Sequence, residues 1–76
     1  MQTEKIATAK ILEIGDNYYF KAQYPQRTTL LWTGLKLPRD RTLVDGLATP
    51  GRVSSELRAV ARGRYDAVVV YPMRYT

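Results

Sequence analysis

The sequence predicts a small α+β domain: a sheet of about four strands, antiparallel or mixed, in the order β-β-β-α-β, packed on one helix at residues 50–62. Three observations carry this. Short segments rich in β-branched and aromatic residues are separated by Gly, Pro, Asn and Asp. One stretch, 50–62, combines an N-terminal cap, a proline at the first helical position and a glycine stop. The length, 76 residues, has room for a single domain, residues 1–76.

Residues 5–14 (KIATAKILEI) read as the first strand, with good β-branched content and no Gly or Pro. Gly15-Asp16-Asn17 is turn chemistry. Residues 18–24 (YYFKAQY) alternate, with Tyr18, Phe20, Ala22 and Tyr24 on one face and Tyr19, Lys21 and Gln23 on the other. They read as a half-buried strand, closing a β-hairpin with the first. Residues 28–37 read as a third strand, with Gly34 marking a bulge or bend. Residues 38–49 form a connection with at most one helical turn, and Leu43, Val44 and Leu47 are expected to tuck onto the core.

Thr49 is a good N-cap and Pro50 suits the first helical position; Gly63 supplies the left-handed stop. Within residues 50–62, Val53, Leu57, Val60 and Ala61 form the core stripe, with Ser55, Arg58 and Arg62 opposite and Arg52 and Glu56 as an i,i+4 pair. The last strand, 66–71 (DAVVVY), is apolar at every position after Asp66, which predicts a central strand buried on both faces. A helix of this length spans about 20 Å and covers one face of a sheet. The second layer then falls to the connection 38–49 or to a second copy of the chain, so a homodimer is an expectation.

Composition excludes several kinds of chemistry. The sequence has no Cys, hence no disulfide, no cysteine zinc site and no thiol nucleophile. It has no His, hence no imidazole base and no Ser-His-Asp triad, so Ser54-Ser55 read as helix-surface serines. The acids are scattered and give no metal cluster, and Gly46, Gly51 and Gly63 fit no phosphate-loop spacing. No cofactor is therefore expected. No apolar run approaches the ~18 residues of a membrane span, and Met1-Gln2-Thr3-Glu4-Lys5 leads into no signal-peptide core; the expected compartment is the cytoplasm.

The formal net charge is +5, and it is uneven. Residues 1–25 balance three bases against three acids, whereas residues 26–76 hold nine bases, eight of them Arg, and four acids. Arg forks suit phosphates and carboxylates and stack on rings. Arg58, Arg62 and Arg64 lie on or just past the helix beside Tyr65, and Arg39 and Arg41 in the preceding connection. These six residues are the candidate nucleic-acid contacts. Tyr19 and Lys21 are candidate partner contacts, because one of two consecutive tyrosines on a strand faces solvent and Tyr is enriched at interfaces. Phe20 and Trp32 are assigned to the core.

Residues 61–71 (ARGRYDAVVVY) resemble the helix-to-strand stretch of serine recombinase catalytic domains. Pro72-Met73-Arg74-Tyr75 departs from the Asp-Arg motif that follows there, so no residue role passes across. The leading functional expectation is a small, basic, non-catalytic module that binds nucleic acid or a nucleic-acid-handling complex. The alternatives are a protein-binding inhibitor or accessory subunit, contacting an acidic surface through Tyr, Arg or an edge strand, and a His-free ribonuclease built from Glu13, Glu56, Arg58 and Tyr65.

Overall fold

The computed structural model describes residues 8–72, so the expected strand start at 5–7 and the tail 73–76 lie outside the described residues. In chain order the elements are β1 (Ile11–Gly15), α1 (Tyr19–Gln23), β2 (Thr28–Trp32), a 3-10 turn (Arg41–Leu43), β3 (Gly46–Leu47), α2 (Pro50–Ala61) and β4 (Ala67–Val70). The four strands form one sheet in the order β3-β2-β1-β4. Every pair is parallel.

This corrects the antiparallel or mixed sheet. The reason lies in residues 18–24. They are a short helix rather than a strand, so the hairpin disappears and residues 16–27 become the crossover that a parallel pair requires. Tertiary contacts override the alternation. The Glu13 carboxylate on β1 accepts the N–H groups of Phe20 (3.1 Å) and Lys21 (2.9 Å), satisfying the first turn of α1 from outside the helix.

Register sorts the side chains onto two faces, because successive residues point to opposite sides of a strand. Leu12 and Ile14 share a face with Leu31, and this group packs with Tyr65 under Ala48, Val53, Ala59 and Val60, so α2 covers this face. Ile11 and Glu13 share the other face with Thr28 and Leu30, and α1 covers it through Glu13.

Four further expectations change. β4 is an edge strand rather than a central one, and Val68 and Val70 are exposed. An unbroken apolar run is buried on both faces only where packed layers cover both; at this sheet edge, where β1 is the one strand paired with β4 among the described residues, Val68 and Val70 stay exposed. β2 ends at Trp32, which leaves Gly34 outside the strand. Leu47 is exposed, although Leu43 and Val44 are half-buried as expected. Finally α2 is rotated from the predicted stripe: Leu57 and Ala61 face solvent, and Glu56 is buried. Its burial is tolerated because Tyr65 Oη (3.2 Å) and Arg52 Nη2 (3.4 Å) donate to the carboxylate.

The helix ends are as read. The Thr49 hydroxyl accepts from Arg52 N–H, and Gly63 adopts φ 87° where the chain leaves α2. Trp32 is buried in the core, stacked on Tyr18, while Phe20 is only half-buried.

Candidate anion-binding site

Three basic residues stand just before strands: Lys10 before β1, Arg27 before β2 and Arg64 before β4. In an antiparallel sheet they would be divided between opposite ends. In this parallel sheet the strand starts share one edge, and the three converge. With Gln26, Thr28, Thr29 and Tyr65 they line a cavity of about 180 Å³. The wall is held from several directions. Asp66 N–H donates to Lys10 C=O (2.7 Å) and the Asp66 carboxylate accepts Lys10 N–H (2.8 Å), fixing the entry into β1 against β4. Arg27 Nη1 donates to Ala9 C=O (3.1 Å), and its guanidinium lies 4.1 Å from the Tyr24 ring centroid. Arg64 is largely exposed and sits 3.9 Å from Glu56.

A wider hollow of about 520 Å³ adjoins this cavity and shares Gln26 and Arg27 with it; Thr8, Tyr24 and Pro25 complete its wall. The last turn of α2 reaches the same edge, because the helix returns from the end of β3 to the start of β4. Its Arg58 and Arg62 are exposed. The negative end of the helix dipole, about half a charge, therefore meets a surplus of cations. Lys10, Arg27, Arg58, Arg62 and Arg64 outnumber the carboxylates of Glu56 and Asp66 here.

The residues singled out from the sequence divide accordingly. Arg64 and Tyr65 line the cavity; Arg58 and Arg62 do not, standing exposed at the end of α2, where Arg58 Nε donates to Ser54 C=O (3.4 Å). Arg39 and Arg41 do not line it; they flank Asp40 at the 3-10 turn, where the Thr42 hydroxyl and then its N–H hold the Asp40 carboxyl below its ordinary range. Tyr65 is buried, with its hydroxyl committed to Glu56, so it is a wall rather than a stacking platform. Tyr19 is exposed as expected. Lys21 is not a surface contact: it is buried, with Nζ donating to Pro25 C=O (3.1 Å) and Thr28 C=O (2.9 Å) and pairing with Asp45 (3.1 Å). Asp45 Oδ2 also accepts Leu30 N–H (2.6 Å), so this ion pair fastens α1 to the β2–β3 edge. Glu13 lies across the sheet from Glu56 and Tyr65, so the four residues of the ribonuclease alternative do not form one site.

Lys10, Gln26, Arg27 and Thr29 were missed by the sequence reading. Lys10 falls in the charge-balanced first third of the chain, and its position just before a strand carries meaning only once the strands are parallel. Among the described residues no group of three or more His, Cys, Asp or Glu could hold a metal ion. No helix among them is long and apolar enough to cross a membrane. Compared with protein-family models, curated proteins and solved structures, the chain matches none.

Proposed function

We propose that this protein is a small, basic, non-catalytic module that binds the phosphate backbone of nucleic acid. The observation that carries the proposal is the convergence of Lys10, Arg27 and Arg64 on one cavity at the strand starts; Arg58 and Arg62, exposed at the end of the helix that leads to Arg64, add positive charge to the chain's surface. Cations from separate segments that meet at one edge make a footprint for a polyanion, and each phosphate they neutralise releases a counterion. The test is titration of fluorescent single- and double-stranded oligonucleotides at several salt concentrations. Affinity is expected to fall steeply with salt, and Arg58→Glu with Arg62→Glu is expected to reduce both the affinity and the salt slope. Absence of binding to either strand type at low salt would refute the proposal.

Among the described residues the outer edge of β4 is unpaired, which supports a second reading, a protein partner. Val68 and Val70 are exposed on this edge strand, Leu57 is exposed on the helix that covers their face, and no charged side chain interrupts Ala67–Val70. A second copy of the chain is the simplest partner for such an edge. Light scattering at low micromolar concentration that returns the mass of one chain would count against it.

A further inference from the structure

The two adjoining hollows differ in size and chemistry. The smaller is basic and walled by Lys10, Arg27, Thr29 and Arg64. The larger, about 520 Å³, is walled by the Tyr24 ring and Pro25, with the Arg27 guanidinium at the boundary. We propose that the pair binds the phosphorylated terminal nucleotide of a single strand, with the phosphomonoester in the basic cavity and the terminal sugar and base in the wider hollow. The inference rests on the nucleic-acid reading above and deepens it.

The argument is one of charge and shape. An internal phosphodiester carries one negative charge and has sugars on both sides, so it needs a groove open at two ends. A terminal phosphomonoester approaches two negative charges above its second pKa near ~6 and has one neighbour. Cations from three chain segments around about 180 Å³ match the second case. Arg27 stands at the boundary of both halves: with Nη1 held by Ala9 C=O and the guanidinium over the Tyr24 ring, it brings its charge to the basic cavity and a wall to the base hollow. A base stacked near Tyr24 adds affinity with little sequence preference, because every base has a π-face. A duplex end holds its base in a pair and does not deliver it to the hollow.

The experiment compares one single-stranded oligonucleotide in three forms, with a 5′-phosphate, a 3′-phosphate or hydroxyls at both ends, and adds inorganic phosphate and a nucleoside monophosphate as competitors. One phosphorylated form is expected to bind at least about tenfold more tightly than the unphosphorylated strand. That preference is expected to shrink as the pH falls through ~6, where the phosphate loses its second charge. The nucleoside monophosphate is expected to compete better than inorganic phosphate, since it fills both hollows. Lys10→Ala with Arg64→Ala, both exposed side chains, is expected to erase the preference, so that all three forms bind alike, and to lower the affinity and the salt slope for the unphosphorylated strand as well. Equal, salt-dependent binding of all three forms would overturn this inference and leave the proposed function standing. No binding of any form at low salt would overturn both.

Discussion

Glu13 is the side chain whose loss should cost the fold most. It is fully buried on a central strand, and three donors converge on its carboxylate: the N–H groups of Phe20 and Lys21 and the hydroxyl of Tyr71. A hydrogen bond to a charged group contributes about 1.5–3 kcal/mol, and a buried donor left without a partner costs about 1–3 kcal/mol. Glu13→Gln keeps the shape and one acceptor oxygen but turns an N–H₂ toward groups that are themselves donors. At least one bond is lost and one donor stranded, for a cost of about 2–4 kcal/mol. A domain of this size has a total stability of about 4–11 kcal/mol, so the loss is a large share of it. Urea unfolding followed by the fluorescence of Trp32, the single tryptophan, measures the change. With a slope of ~1 kcal/mol/M the midpoint should fall by about 2 M or more. A cycle with Tyr71→Phe should show the two side chains to be coupled rather than additive. If Glu13→Gln unfolds within about 0.5 kcal/mol of the parent, well below the cost of one stranded donor, the bonds drawn to this carboxylate do not hold the fold.

Four further outcomes follow from the same face of the sheet and from the two helices. Burial, and then the bond to Glu13, push the Tyr71 phenol up to about 12; because the folded state holds this proton more tightly, the stability it contributes is intact below ~10 and declines as the pH rises toward 12. An alkaline absorbance titration should show one late tyrosine that Tyr71→Phe removes. A Cβ at Gly15 would lie 2.6 Å from Tyr71 Cβ, so Gly15→Ala should displace this ring, destabilise by about 1–3 kcal/mol and advance the same late titration. Lys21→Met should cost about 1–3 kcal/mol in urea unfolding, since it takes the donor from the Pro25 and Thr28 carbonyls while Asp45 keeps Leu30 N–H and water, whereas Lys36→Met on the exposed connection should cost under about 0.5 kcal/mol. Thr49→Ala should remove about 1 kcal/mol by deleting the cap on Arg52 N–H, measurable as a lowered Tm.

The parts legible in the sequence are those specified by local chemistry. Thr49, Pro50 and Gly63 mark both ends of α2 because caps act within one turn. The β-branched content of residues 28–32 and 67–70 marks two strands for a similar reason. Residues 19–23 were illegible because five residues are too few to separate a period of 2 from a period of 3.6, and because what fixes α1 is Glu13, outside it. That single substitution of helix for strand decided the rest: it turned the sheet parallel, moved β4 to an edge and gathered Lys10, Arg27 and Arg64. The candidate site was half-legible for the same reason. Its arginines on and after α2 were named from local position, whereas Lys10 and Arg27 belong to it through strand direction alone.

The position of β1 bears on how the chain acquires its structure during synthesis. β1 is made early and lies in the middle of the sheet, yet one of its neighbours, β4, comes last among the described elements. Asp66 N–H reaches Lys10, and Tyr71 N–H reaches Ile14 C=O at 2.9 Å. A nascent chain that has emerged only through α2 therefore exposes one side of its own central strand, and Glu13 waits for the Tyr71 hydroxyl. Pairing so distant in sequence forms late and at a high entropic cost. Translation must pass Tyr71 before the first strand is closed, and until then the bare edge of β1 is the surface most in need of a chaperone or of the ribosome's shelter.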